Sequence, residues 1–113
     1  MELKDLNDDE LITLAGLMRE VIRADHQYSD AEHVHVDKLK ETLGETRFNA
    51  VFATAQKELG SLDEVKERAK QIENVEARRV IFGYLIGLAA ADGVHGDEEK
   101  PLRWLASWWD FQH

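Results

Sequence analysis

Two short segments of this sequence carry residue types and spacing suited to chemistry, and both are rich in carboxylates. Asp25, Asp30 and Glu32 fall within residues 24–32, and Asp92, Asp97, Glu98 and Glu99 fall within residues 91–99, sixty-seven positions later. Aligning residues 16–32 with 83–99 gives five identities in seventeen: Gly16/Gly83, Ala24/Ala91, Asp25/Asp92, Asp30/Asp97 and Glu32/Glu99. Grouped carboxylates are hard oxygen donors, the chemistry that holds Ca²⁺ or Mg²⁺. The spacing is not that of an EF-hand, which needs a twelve-residue loop with oxygen ligands at alternate positions. Eight residues from Asp to Glu supply too few donors for a full cage, so water, backbone carbonyls or the sister turn would have to complete the shell.

A ligand-free reading of the same acids stands beside this one. Asp25 and Asp92 come near the C-terminal ends of helical segments, where unpaired carbonyls already place negative charge. Amides of the turn and of the following helix start can compensate them, with Ser29 and Glu32 acting as caps. The two turns differ in ways that bear on the choice. Gly93 enters a left-handed conformation freely, whereas His26 does so at some cost. Pro101 disturbs a helix begun at Gly96 and delays its start toward Glu99, freeing that carboxylate to turn back to Asp92. The second turn is therefore the better cation candidate. His26 and His95 lie in the acidic turns, where a solvated side chain is the favoured reading and a transition-metal ligand the alternative; His33 and His35, two apart, make a poor chelating pair on a helix.

The positioning elements read as helices throughout. Asn7 with Glu10 forms a capping box, flanked by Leu6 and Leu11 as a hydrophobic staple, and Leu11, Leu14, Leu17, Met18, Val21 and Ile22 keep one face apolar to about residue 24. Residues 29–32 open a second helix with a narrow stripe of Val36, Leu39 and Leu43, which Gly44 stops. A third, from about 45 to 59, turns Phe48, Val51, Phe52, Ala55 and Leu59 inward and ends at Gly60. Ser61 and Glu64 form another box, opening a short helix with Leu62, Val65, Ala69 and Ile72 inward. From about 75 to 91 the apolar residues cover more than one face, the mark of a central helix, and Gly83 and Gly87 invite close approach of a neighbour.

The last helix carries a wide aromatic arc. Leu102, Leu105, Ala106 and Trp109 form one face, and Trp104, Trp108 and Phe111 an adjoining one. The arc wedges between helices of its own domain or, through the second face, meets a protein partner or a second copy of the chain, since Trp favours interfaces.

Composition narrows the function classes. The chain has 113 residues, 43% hydrophobic and 33% charged, one Pro and no Cys. Disulfides, thiolate metal sites and Cys nucleophiles are excluded, and a folded single domain is expected. A net charge of −9 repels nucleic acid and anionic lipid surfaces. No apolar run is long enough to span a membrane and the N-terminus lacks a signal pattern, so a cytoplasmic protein without direct membrane insertion is expected. Phosphate loops, His-Glu-x-x-His and nucleophile elbows are missing, so the expectation is a non-enzyme.

The pattern of an apolar helix ending in Ala91-Asp92-Gly93 and followed by Glu99, with Ala24, Asp25 and Glu32 as an earlier copy, resembles the TerB-like tellurite-resistance family. The resemblance covers nearly the whole chain in helix order and duplication. It implies a compact all-α domain over residues 1–113, six to seven helices in two pseudo-repeated helix-turn-helix units. It also implies divalent metal at Asp25, Glu32, Asp92 and Glu99 and a role in stress-response complexes, some associated with membranes. His26 stands where the family pattern has Gly, and Pro101 interrupts the last helix. The expected protein is thus a binding or scaffold module with a cation at its acidic turns; the alternative is a metal-free interaction protein using the aromatic final helix.

Overall fold

Asn7 and Glu10 cap each other as the sequence predicts. In the computed structural model Asn7 Oδ1 accepts from the Glu10 amide at 2.8 Å and Glu10 Oε1 accepts from the Asn7 amide at 2.9 Å. These bonds open α1 (Asp8–Asp25), and Leu6 and Leu11 are both buried beside them. The structure describes residues 2–25, 30–90, Leu105 and Trp109, without the side chains of 22–25, 30–32 and 89–90. Within it follow α2 (Asp30–Leu43), α3 (Glu45–Glu58), α4 (Leu62–Lys70) and α5 (Val75–Ala90), with a 3₁₀ turn at Leu3–Asp5 before α1. Among the described residues the protein is all-α and compact, with five α-helices and no strand.

Local chemistry sets the boundaries. Gly44, at φ 88°, lets one residue close α2 and open α3: its amide donates to Lys40 O at 2.9 Å and its carbonyl accepts from the Phe48 amide at 3.0 Å. Any side chain at that φ would be strained. Gly60 plays no such part. Leu59 caps α3 at φ −115°, and Gly44 is the glycine with positive φ among the described residues. Ser61 caps α4, its Oγ accepting from the Glu64 amide at 3.3 Å. The expected reciprocal bond is replaced: the Ser61 hydroxyl itself donates to Glu64 Oε1 at 3.1 Å.

The central helix is α1, where the sequence pointed to α5. Residues 10–18 are buried without interruption, and α1 packs on α3, α4 and α5. By contrast α5 leaves Val75 51% and Ile86 38% exposed, and Gly83 is exposed as well. Val80 and Tyr84 are half-buried, and among the described side chains of α5 only Ala77, Ile81, Phe82, Leu85 and Leu88 reach the core. The apolar excess of α5 overstated its burial because exposed Ile and Val read the same as buried ones in a composition count. Leu62, expected inward, is exposed, whereas Val65, Ala69 and Ile72 are buried.

Helix directions follow from side-chain contacts. Arg47, in the first turn of α3, donates to Leu6 O at 3.0 Å and reaches Asp8 at 3.3 Å, while Arg68, near the end of α4, lies 3.6 Å from Asp9. The starts of α1 and α3 and the end of α4 therefore share one end of the bundle. At the other half of α1, Arg19 bonds Leu59 O at the end of α3, and the Gly16 backbone lies against Leu59 and Val65. Because α5 begins just beyond α4, with Arg78 Nε donating to Ile72 O at 2.6 Å, it runs back along α1. Sixteen residues span about 24 Å, close to the length of α1. The end of α1, the start of α2 and the end of α5 thus gather at the opposite end.

Candidate functional site

The helix ends that border the two acid-rich segments of the sequence lie at that gathered end. Asp25 is the last residue of α1 and Asp30 the first of α2, with Glu32 in the first turn of α2. Their side chains lie outside the described residues, as do Asp92, Asp97 and Glu99, and so do Trp104, Trp108 and Phe111. Ala90, the last residue of α5, directly precedes the second acidic segment. Two helix C-termini and one N-terminus therefore meet at this end. With about half an elementary charge at each terminus, the backbone alone contributes a net charge of about −0.5 there, before any carboxylate is added.

A specific joint holds α2 to α5 just below this end. Tyr84 Oη donates to His35 O at 3.1 Å, and His35 Nε2 lies 3.4 Å from Tyr84 O. The two rings pack with centroids 4.5 Å apart. Gly87 makes room for the imidazole, since a Cβ there would come within 3.1 Å of His35 Cε1. Thus one of the two glycines expected to admit a neighbour does so and the other, Gly83, faces outward. His35 sits five residues from the start of α2 and Gly87 three from the end of α5, so the joint fixes the spacing of the two acid-bearing helix ends. Sequence reasoning dismissed His35 as a ligand without finding this role. Its signal was the Tyr84/Gly87 spacing, one helical turn apart on α5.

Trp109 is anchored at the other end of the bundle. Leu105 and Trp109 are helical and buried, and Trp109 Nε1 donates to Ala69 O at 3.1 Å. Both belong to the face expected to turn inward. The indole N–H adds a second donor to a carbonyl in the last turn of α4 that already accepts from the Ile72 amide at 3.3 Å. Among the described residues no group of three His, Cys, Asp or Glu side chains stands close enough to hold a metal ion, and none of the described helices is long and apolar enough to cross a membrane.

The class these features define is, among the described residues, an all-α bundle in which the end of α1, the start of α2 and the end of α5 gather at one end. The chain matches the family model for tellurite resistance protein TerB over residues 11–112 and belongs to that family. No match was found among curated proteins or among solved structures.

Proposed function

We propose that the chain, as one domain over residues 1–113, is a non-enzymatic cytoplasmic binding module of a tellurite-resistance-type stress-response system and takes a divalent cation at its acidic turns. Two pseudo-repeated helix-turn-helix units, six to seven helices in all, would present those turns together. The observation that supports this reading is the convergence of the end of α1, the start of α2 and the end of α5 at one end of the bundle. An all-oxygen donor set suits Ca²⁺ or Mg²⁺. Asp92 and Glu99 are the leading ligands, joined by Asp97 and by Asp25, Glu32 and Asp30 of the first turn. Calorimetric titration of chelator-treated protein with Ca²⁺, Mg²⁺, Mn²⁺ and Zn²⁺ tests it. Saturable heat is expected, weakened about tenfold by Asp92→Asn or Glu99→Gln, the loss of one charge-assisted contact. Absence of heat from the wild type at millimolar metal would remove the reading.

A second reading draws on the burial of Leu105 and Trp109. With that face turned inward, the adjoining face of Trp104, Trp108 and Phe111 is the one we assign to a protein partner or to a second copy of the chain. Light scattering across a wide concentration range separates these: a constant monomer mass removes the homodimer.

A further inference from the structure

The side of the bundle carries a concave feature of its own. A groove of about 760 Å³ runs between α2 and α3 over the middle of α1. Its apolar surface comes from Met18, Val36, Phe48 and Phe52, and the two phenylalanine rings stack with centroids 4.4 Å apart. Along α2 it extends from His33 to Lys40 and along α3 from Phe48 to Gln56, a rise of seven and eight residue steps, or about 10–12 Å.

Its charge runs against that of the chain. The protein carries −9 overall, yet the groove is lined by two fixed cations, Arg19 and Lys40, against one carboxylate, Asp37. Arg19 is engaged: it donates to Leu59 O and pairs with Glu20 at 3.4 Å. Lys40 makes no ion pair among the described residues; its ammonium lies 5.9 Å from the centroid of Phe48, at the end of the apolar track. A cation at one end of an aromatic and aliphatic channel is the complement of an amphiphile with one anionic head.

Size decides between a small amphiphile and a partner helix. The volume falls inside the range of about 300–1,000 Å³ typical of small-ligand sites. A track two to three helical turns long is short for a specific protein interface, which buries about 1,200–2,000 Å². We propose that this groove binds a monoanionic amphiphile, an unbranched alkyl chain ending in a carboxylate, with the chain along Phe52 and Phe48 and the carboxylate at Lys40. One charge is the limit, because the acidic remainder of the protein repels polyanions. Asp37, one turn from Lys40 on α2, weakens the head-group site.

The probes are decanoate and decyltrimethylammonium, each below its micelle-forming concentration, titrated calorimetrically into the full chain. Decanoate should bind saturably and the quaternary ammonium about fivefold more weakly or less. Lys40→Gln should weaken decanoate about twofold to fivefold, the effect of one exposed charge, and Asp37→Asn should tighten it by a similar factor. Lys57→Gln, exposed on α3 and outside the groove, should leave it unchanged. Circular dichroism confirms that each variant is folded, and chemical-shift changes at Phe48 and Phe52 place the ligand. Equal affinity for the two head groups, or decanoate binding unaffected by Lys40→Gln in a folded protein, would overturn the proposal. So would displacement of decanoate by an amphipathic helical peptide that binds more tightly, which would give the groove to a protein partner.

Discussion

Gly16→Ala sets two opposed terms against each other at the most crowded point of α1. An alanine in a helix interior is favoured over glycine by about 0.8–1 kcal/mol. Here, however, the added Cβ would lie 2.9 Å from Leu59 Cδ1 and 3.2 Å from Val65 Cγ2, inside the optimal carbon separation of about 3.5–4.0 Å. Leu59 is 2% exposed and Val65 0%, so both side chains would have to shift within the core to admit it. Overpacking of this kind costs about 1–3 kcal/mol, which outweighs the propensity gain and leaves the variant destabilised by up to about 2 kcal/mol. Urea denaturation reads this directly: at a slope of about 2 kcal/mol/M the midpoint falls by as much as about 1 M with the slope unchanged. The same substitution made in a Leu59→Ala background meets no Cδ1, and there it should raise the midpoint. A rise of the wild-type midpoint equal to that in the Leu59→Ala background would refute the packing argument.

Two further outcomes are expected from urea denaturation. Asn7→Ala removes the acceptor for the Glu10 amide and should lower stability by about 1 kcal/mol, whereas Thr54→Ala, whose hydroxyl bonds only Ala50 O on an exposed surface, should stay within about 0.5 kcal/mol. Trp109→Phe keeps the aromatic packing but removes the donor to Ala69 O, for a loss of about 1 kcal/mol; an unchanged midpoint would mean that the buried indole bond does not anchor the final segment.

How far the sequence revealed this protein depended on whether a signal was local. Capping at Asn7 and the stop at Gly44 were legible because they need only neighbouring residues: a side-chain oxygen three positions from an amide, and a residue that tolerates positive φ. The inward faces of α1 and α3 were legible from periodicity. The choice of central helix was not. Ile86 and Val75 carry the same hydropathy exposed as buried, and only the packing partners of α1 distinguish the two cases. Gly60 misled for a related reason, since Leu59 could end α3 without any left-handed residue. Among site features, the acids were conspicuous by type and repetition, but the gathering of the ends of α1 and α5 with the start of α2 depends on the directions of α3, α4 and α5. Those directions show only in long-range contacts, such as Arg47 with Asp8 and Arg68 with Asp9, between residues far apart in the chain. His35 was invisible as a joint because its partners, Tyr84 and Gly87, are some fifty residues away.

The central claim, that both acidic segments serve one cation-binding end, is tested most directly by Mn²⁺ added substoichiometrically to the chelator-treated, isotope-labelled chain. Paramagnetic broadening should fall together on the amides of Asp25, Asp30 and Ala90, while Gly44, Arg47 and Ile72, at the opposite end, stay sharp. Broadening spread over exposed acids such as Asp63 and Glu67, or confined to only one of the three helix ends, would contradict the account.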